Sequence, residues 1–154
     1  MLTEDVIVCG GGIGGLSAAA ALARMGIRSL VLEKAEAFGE IGAGIQLAPN
    51  AFRALDKLGV TDALRGSCVF IDDLKLMSAP TGEEITRIPL DNGFLNRFGF
   101  PYAVVHRAEF HRILLDLCQT SDLVSFRLKS KLVAYDQTDR HVEVLLADGA
   151  RLRG

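Results

Sequence analysis

The chain has 154 residues, a formal net charge of −2, 49% hydrophobic and 23% charged residues. That length suits one domain with a substantial core, and the composition excludes a disordered chain. The absence of a long basic run argues against a nucleic-acid partner, and the apolar stretches are too short to span a membrane.

The N-terminus enters a strand at once, which leaves no room for a signal peptide. Val6-Ile7-Val8-Cys9 is that strand, with Cys9 read as a small buried residue. Gly10-x-Gly12-x-x-Gly15 follows, then an Ala-rich helix over Ser17 to Met25 with Gly26 as its stop. Ile27 to Leu32 is a near-continuous apolar run, as in a parallel-sheet strand buried on both faces. Glu33 ends it, 18 positions after Gly15, near the spacing of about 20 found in dinucleotide fingerprints.

Each part has a physical reason. The first glycine turns the chain out of the strand, the second lets backbone approach a pyrophosphate, and the third lets helix and strand pack closely. The N–H groups and positive dipole end of the helix face the phosphate charge. A carboxylate at Glu33 accepts hydrogen bonds from ribose hydroxyls and repels a 2′-phosphate. A glycine turn with no ligand is the competing reading. The strand before the turn, the helix after it and the acid beyond weigh against that. The fingerprint alone does not separate NAD from FAD.

The glycine-rich stretch from Gly39 to Asn50 reads as a loop, with Asn50 capping the next helix. Ala51, Ala54, Leu55 and Leu58 give that helix an apolar face, Gly59 stops it, and Thr61-Asp62-Ala63-Leu64 opens a further short turn. Val69-Phe70-Ile71 and Leu74 to Met77 read as strands, with Ala79-Pro80-Thr81-Gly82 as a turn and Glu84 to Leu90 as the returning strand. Residues 68–101 thus form an insertion in the dinucleotide fold, ending in a loop from Asp91 to Pro101.

Tyr102 to Val105 is a strand. His106-Arg107-Ala108-Glu109 leads into a helix with Phe110, Ile113, Leu114, Leu117 and Cys118 on its apolar side. His106 precedes that helix and His111 falls on its solvent side, so neither is read as a base. Strands at Leu123 to Leu128, Leu132 to Tyr135 and Val142 to Leu146 follow, and Asp148-Gly149 turns into a last strand at Arg151-Leu152-Arg153. Cys9, Cys68 and Cys118 are odd in number and widely spaced, forming neither a metal pattern nor a disulfide framework. A reducing cytoplasm is the expected location, and no metal is expected.

In order along the chain, the glycine fingerprint, Glu33-Lys34, the Gly42-Ala43-Gly44-Ile45-Gln46…Pro49-Asn50 stretch, Arg87-Ile88-Pro89-Leu90 and His106-Arg107-Ala108-Glu109 resemble the single-component FAD-dependent aromatic hydroxylases. Salicylate hydroxylase, 3-hydroxybenzoate 6-hydroxylase and 6-hydroxynicotinate 3-monooxygenase are of this kind. The resemblance implies an α/β, Rossmann-like FAD-binding fold of the glutathione-reductase type with inserted β-strands. Residues 1–154 would be the N-terminal part of the FAD-binding domain, truncated at its C-terminus. Residues 68–101 would lie on the substrate side and 123–154 would be strands of the cofactor domain.

The same resemblance places the FAD pyrophosphate over Gly10, Gly12, Ile13, Gly14 and Gly15. It places the adenosine ribose on Glu33 with Lys34 beside it, and the adenine side at the Leu132 backbone. Gly44 and Gln46 would pass near the flavin, and Arg107 would reach the cofactor, a surface ion pair being its alternative. Gln46 stands where the pyridine hydroxylase has a histidine, and glutamine takes no proton at neutral pH, which favours the benzoate-type enzymes. The implied activity is hydroxylation of an aromatic acid with NADH or NADPH and O₂. The catalytic groups would lie beyond residue 154, and the full-length parent could pair as a homodimer. Two other readings stand beside it: a non-catalytic FAD-binding fragment, and a plain NAD-binding dehydrogenase domain. The early glycine-rich stretch and the inserted strands count against the dehydrogenase.

Overall fold

The structure is a computed structural model describing residues 6–39 and 42–154. Its elements run β1 (Val6–Cys9), α1 (Ile13–Arg24), β2 (Ser29–Leu32), β3 (Gly44–Leu47), α2 (Pro49–Leu58), α3 (Thr61–Arg65), β4 (Cys68–Phe70), β5 (Asp73–Met77) and β6 (Glu84–Pro89). They continue with α4 (Asn92–Phe98), β7 (Ala103–His106), α5 (Arg107–Gln119), β8 (Val124–Arg127), β9 (Leu132–Gln137), β10 (Val142–Leu146) and β11 (Arg151–Arg153). The chain divides into two compact units, Met1–Ile41 with Phe110–Gly154, and Gly42–Glu109.

The first unit is built on a parallel sheet of order β1-β2-β8 among the described residues. Val6 pairs with Ser29 and Cys9 with Leu32, while β2 pairs on its other side with β8 from Ser29–Val124 to Leu32–Arg127. All of β2 is buried, as its unbroken apolar run requires. Small residues let α1 lie close to the sheet, with Leu16, Ala19 and Ala20 buried. The Cys118 thiol of α5 donates to the Leu16 carbonyl at 3.3 Å, tying two helices together. A second, antiparallel sheet of order β11-β10-β9 carries Val144, Leu146 and Leu152 into one apolar cluster with Leu30 and Leu32.

The second unit holds an antiparallel sheet of order β3-β7-β4 and a separate ribbon of β5 and β6. Its core is Leu47, Phe52, Leu55, Val60, Leu64, Ala103 and Val105. The stretch read as a loop contains β3, whose Gly44–Leu47 pairs with His106–Ala103 of β7. Glycine-rich composition hides a strand when a distant partner supplies its ladder. Asn50 is not a cap: α2 starts at Pro49 with Ala48 at its N-cap, as proline's fixed φ favours at the first helical position. The buried face of α2 is Phe52 and Leu55, while Ala54 is exposed. Residues 91–101 are not a plain loop either, because Asp91 accepts from the Phe94 N–H at 3.1 Å and caps α4, which ends at Gly99 with φ 77°. Strand β4 pairs with β7 instead of joining the ribbon.

Candidate functional site

The site is assembled at the C-terminal ends of β1 and β2. Gly10 leaves β1 with φ 108°, a conformation that glycine adopts without steric cost, and its N–H donates to the Leu32 carbonyl at 2.8 Å. Gly12 is the N-cap of α1; among the described residues no side chain caps it, and the first turn holds no acid. The helix closes its ladder only at the Leu16 N–H, which donates to the Gly12 carbonyl. The helix thus offers its first N–H groups and its positive end with no acidic residue in its own first turn. Ile13, Gly14 and Gly15 form that first turn.

Gly15 and Gly14 differ in kind. A Cβ at Gly15 would run into the Gly10 carbonyl oxygen, a backbone atom, so no other residue fits without moving the turn. A Cβ at Gly14 would meet nothing within 4 Å. The third glycine of the fingerprint therefore serves packing, and the surface over Gly14 stays open.

Glu33 locks this turn to the next strand. Its carboxylate accepts from the Gly11 N–H at 2.7 Å and from the Ala35 N–H at 2.9 Å. Burial pushes the carboxyl pKa up, but N–H donors from Ala35, Gly11 and Lys34, with the Lys34 charge, outweigh it and hold Glu33 below its ordinary value. A carboxylate has about four acceptor positions, so lone pairs remain for ribose hydroxyls. Ser130 N–H donates to the Glu33 carbonyl at 2.8 Å and Lys129 N–H to the Ala35 carbonyl at 2.9 Å. Those bonds bring the start of β9 alongside. A cleft of about 340 Å³ results, lined among others by Cys9, Gly10, Glu33, Lys34 and Leu132. Another of about 250 Å³ is lined by Gly11, Gly12, Glu33, Lys34, Phe38 and His111. The open turn, the uncapped helix and the acid beside both clefts fit the adenosine diphosphate half of a dinucleotide.

Two sequence readings are overturned here. Cys9 is exposed and not buried, since it ends β1 at the cleft. His111 is not on the solvent side of α5 but 4% exposed, with Nε2 2.7 Å from the Gly11 carbonyl oxygen. The signal for this was present, because His111, Leu114 and Cys118 follow i, i+3, i+7 spacing on one helix face.

The other residues singled out from sequence lie in the second unit. Gly44 is the first residue of β3, where a Cβ would stand 3.1 Å from Val104 Cγ1. The Gln46 Oε1 accepts from the Tyr102 hydroxyl at 2.6 Å. Arg107 opens α5, its N–H donating to the Ala43 carbonyl at 3.2 Å, and a Cβ at Gly42 would meet its side chain at 2.9 Å. His106 ends β7, exposed, with Nδ1 accepting from the Ala108 N–H at 3.3 Å. Among the described residues no helix is long and apolar enough to cross a membrane, and no group of three or more His, Cys, Asp or Glu could hold a metal ion.

A parallel sheet with a glycine turn, an uncapped helix and an acid on the next strand defines a dinucleotide-binding α/β protein. Residues 3–151 match the family model described as FAD binding domain, and the chain belongs to that family. It is 49% identical over 151 residues to 3-hydroxybenzoate 6-hydroxylase 1 of Aquipseudomonas alcaligenes, covering 98% of this chain and 38% of that protein. It is 33% identical over 145 residues to 6-hydroxynicotinate 3-monooxygenase of Bordetella bronchiseptica, covering 94% of this chain and 37% of that protein. Klebsiella pneumoniae HpxO, solved with FAD and uric acid, superposes with a TM-score of 0.82 at 31% identity, over 98% of this chain and 37% of that one. The chain thus spans little more than a third of the length of these relatives. The sequence resemblance to the FAD-dependent hydroxylases and the α/β FAD-binding fold both hold.

Proposed function

We propose that the chain is the FAD-holding part of a monooxygenase that hydroxylates an aromatic acid of the hydroxybenzoate or salicylate type, with NADH or NADPH and O₂ as co-substrates. The observation carrying this reading is the Gly10–Gly15 turn, open over Gly14 and bound to the Glu33 carboxylate, in a chain of the FAD binding domain family. Bound FAD supplies the redox and oxygen-transfer chemistry, and the protein supplies binding, orientation and exclusion of water.

The turn's N–H groups at Gly12, Ile13, Gly14 and Gly15 hold the pyrophosphate, with Gly10 shaping the turn. Glu33 takes the ribose hydroxyls, Lys34 lies beside them, and Leu132 backs the adenine. Gly44, Gln46 and Arg107 are separate proposals for contacts with the cofactor, each tested by its own substitution. Gln46 already accepts from Tyr102 and takes no proton, which supports a benzoate-type ring over a hydroxypyridine. Residues 68–101 serve the substrate side and 123–154 the cofactor domain. A cytoplasmic homodimer is the proposed assembly of the whole enzyme.

A second reading is that this chain holds FAD without turnover. It is favoured because the histidine beside the turn, His111, commits Nε2 to the Gly11 carbonyl. The test of both is a visible spectrum after gel filtration with added FAD, followed by NADH oxidation with hydroxybenzoates. Flavin bands that travel with the protein support the FAD site. NADH oxidation stimulated by a hydroxybenzoate supports the enzyme, and bound flavin without it supports the holder. Free flavin with micromolar NAD⁺ binding would return the dehydrogenase reading.

A further inference from the structure

His111 is given no part in holding the cofactor above, yet it is buried and touches the glycine turn itself. Its Nε2 lies 2.7 Å from the Gly11 carbonyl oxygen. A carbonyl only accepts, so Nε2 carries the proton and donates. The ring is held in place by Phe38, whose centroid is 6.2 Å away, and Phe38 is itself fixed edge-on by Phe126 at 5.3 Å. Phe38 also fills the space beside Gly11, where a Cβ would strike its ring.

The consequence follows from peptide geometry. In a planar trans peptide the C=O and the following N–H point in opposite directions. With the Gly11 oxygen turned toward His111, the Gly12 N–H faces the other way. The preceding peptide is pinned too, because the Gly11 N–H donates to Glu33. Without the imidazole donor the Gly11 oxygen is left unpaired in a buried place. That is costly, and rotating the peptide would relieve it by turning an oxygen toward the bound anion.

We propose that His111 is a positioning residue for the phosphate-binding turn: its Nε2–H fixes the Gly11–Gly12 peptide so that the Gly12 N–H is presented to the cofactor pyrophosphate. The proposal rests on the FAD reading for its ligand but not for its geometry. Nε2 of glutamine can replace Nε2 of histidine as a donor, whereas leucine and methionine cannot.

The test uses His111→Leu, His111→Met and His111→Gln in the full 154-residue chain, with thermal unfolding as a check on folding. FAD affinity is read by flavin fluorescence, and the Gly12 amide resonance is read in flavin-free protein. His111→Leu and His111→Met are expected to weaken FAD about tenfold, equivalent to about 1.4 kcal/mol, and to move the Gly12 amide. His111→Gln is expected to restore both. Equal losses in all three variants, or wild-type behaviour in the donorless ones, would overturn the proposal. If wild-type protein fails to hold FAD, the functional reading falls. The amide then decides alone: displacement in Leu and Met with recovery in Gln sustains the positioning role, and an unmoved amide ends it.

Discussion

Two glycine-rich stretches open two parts of this molecule, and they use glycine differently. In the Gly10–Gly15 turn, the obstacle to a side chain at Gly15 is the Gly10 carbonyl, which cannot step aside. In the Gly42–Gly44 stretch the approach is looser, a Cβ at Gly42 standing 2.9 Å from Arg107 Cβ and Cδ and one at Gly44 3.1 Å from Val104 Cγ1. The first stretch leaves backbone donors and an open face at α1. The second becomes β3 and hydrogen-bonds into a sheet. Glycine clustering therefore marks close approach in general, and the face left open is marked by Gly14, where a Cβ would meet nothing within 4 Å.

The comparison breaks most visibly at Gly15. Gly15→Ala is expected to destabilise by about 3 kcal/mol, the upper range for overpacking, and to abolish FAD retention, measured by urea unfolding and flavin co-elution. Glu33→Gln should weaken FAD about tenfold, near 1.4 kcal/mol, in a fluorescence titration. The pH dependence of wild-type stability carries the same information. Glu33 is held below its ordinary value, so its contribution is complete above about pH 4.3 and is lost as pH falls through the lower folded value. The mutant should lack that component.

Gly42→Ala sharpens the contrast. An approach of 2.9 Å, against the far closer one at Gly15, predicts a smaller stability cost of about 1 kcal/mol, with FAD affinity changed far less than by Gly15→Ala. Gly14→Ala should do the reverse, because alanine is the better helix residue by up to about 1 kcal/mol. Stability is expected to hold or rise slightly while FAD affinity drops severalfold. The smallest effect is chemical. Cys9 lines the cleft with Gly10 and Glu33, so FAD should slow its alkylation. Cys118, buried and with its thiol pushed up to about 11 by that burial, should stay unlabelled with or without FAD, as read by peptide mass spectrometry.

The sequence made the first unit legible where its signals are local. Strand β1, the turn, α1, β2 and Glu33 lie in one stretch of fewer than thirty residues, and each residue type answers to a backbone need. It misled where the partner is distant. Strand β3 exists because β7 pairs with it, Gly44 with His106, and no local pattern announces that. Helix α4 had its Asp91 cap and its Gly99 stop, but without a buried face it lacked the periodicity that marks a helix. His111 is a polar residue beside an apolar stripe, a pattern that usually faces solvent, yet its i, i+3, i+7 relation to Leu114 and Cys118 puts it on the buried face.

The bonds from Glu33 to the Gly11 N–H and from His111 to the Gly11 carbonyl are made within the protein alone. A turn shaped in this way by the protein alone is expected to take its ligand without rearrangement. Association should then proceed at the ordinary rate for unhindered docking, and changes in affinity among variants of the turn should be written in the dissociation rate. The lifetime of the complex, more than the speed of its formation, is the quantity expected to change when either hydrogen bond is removed.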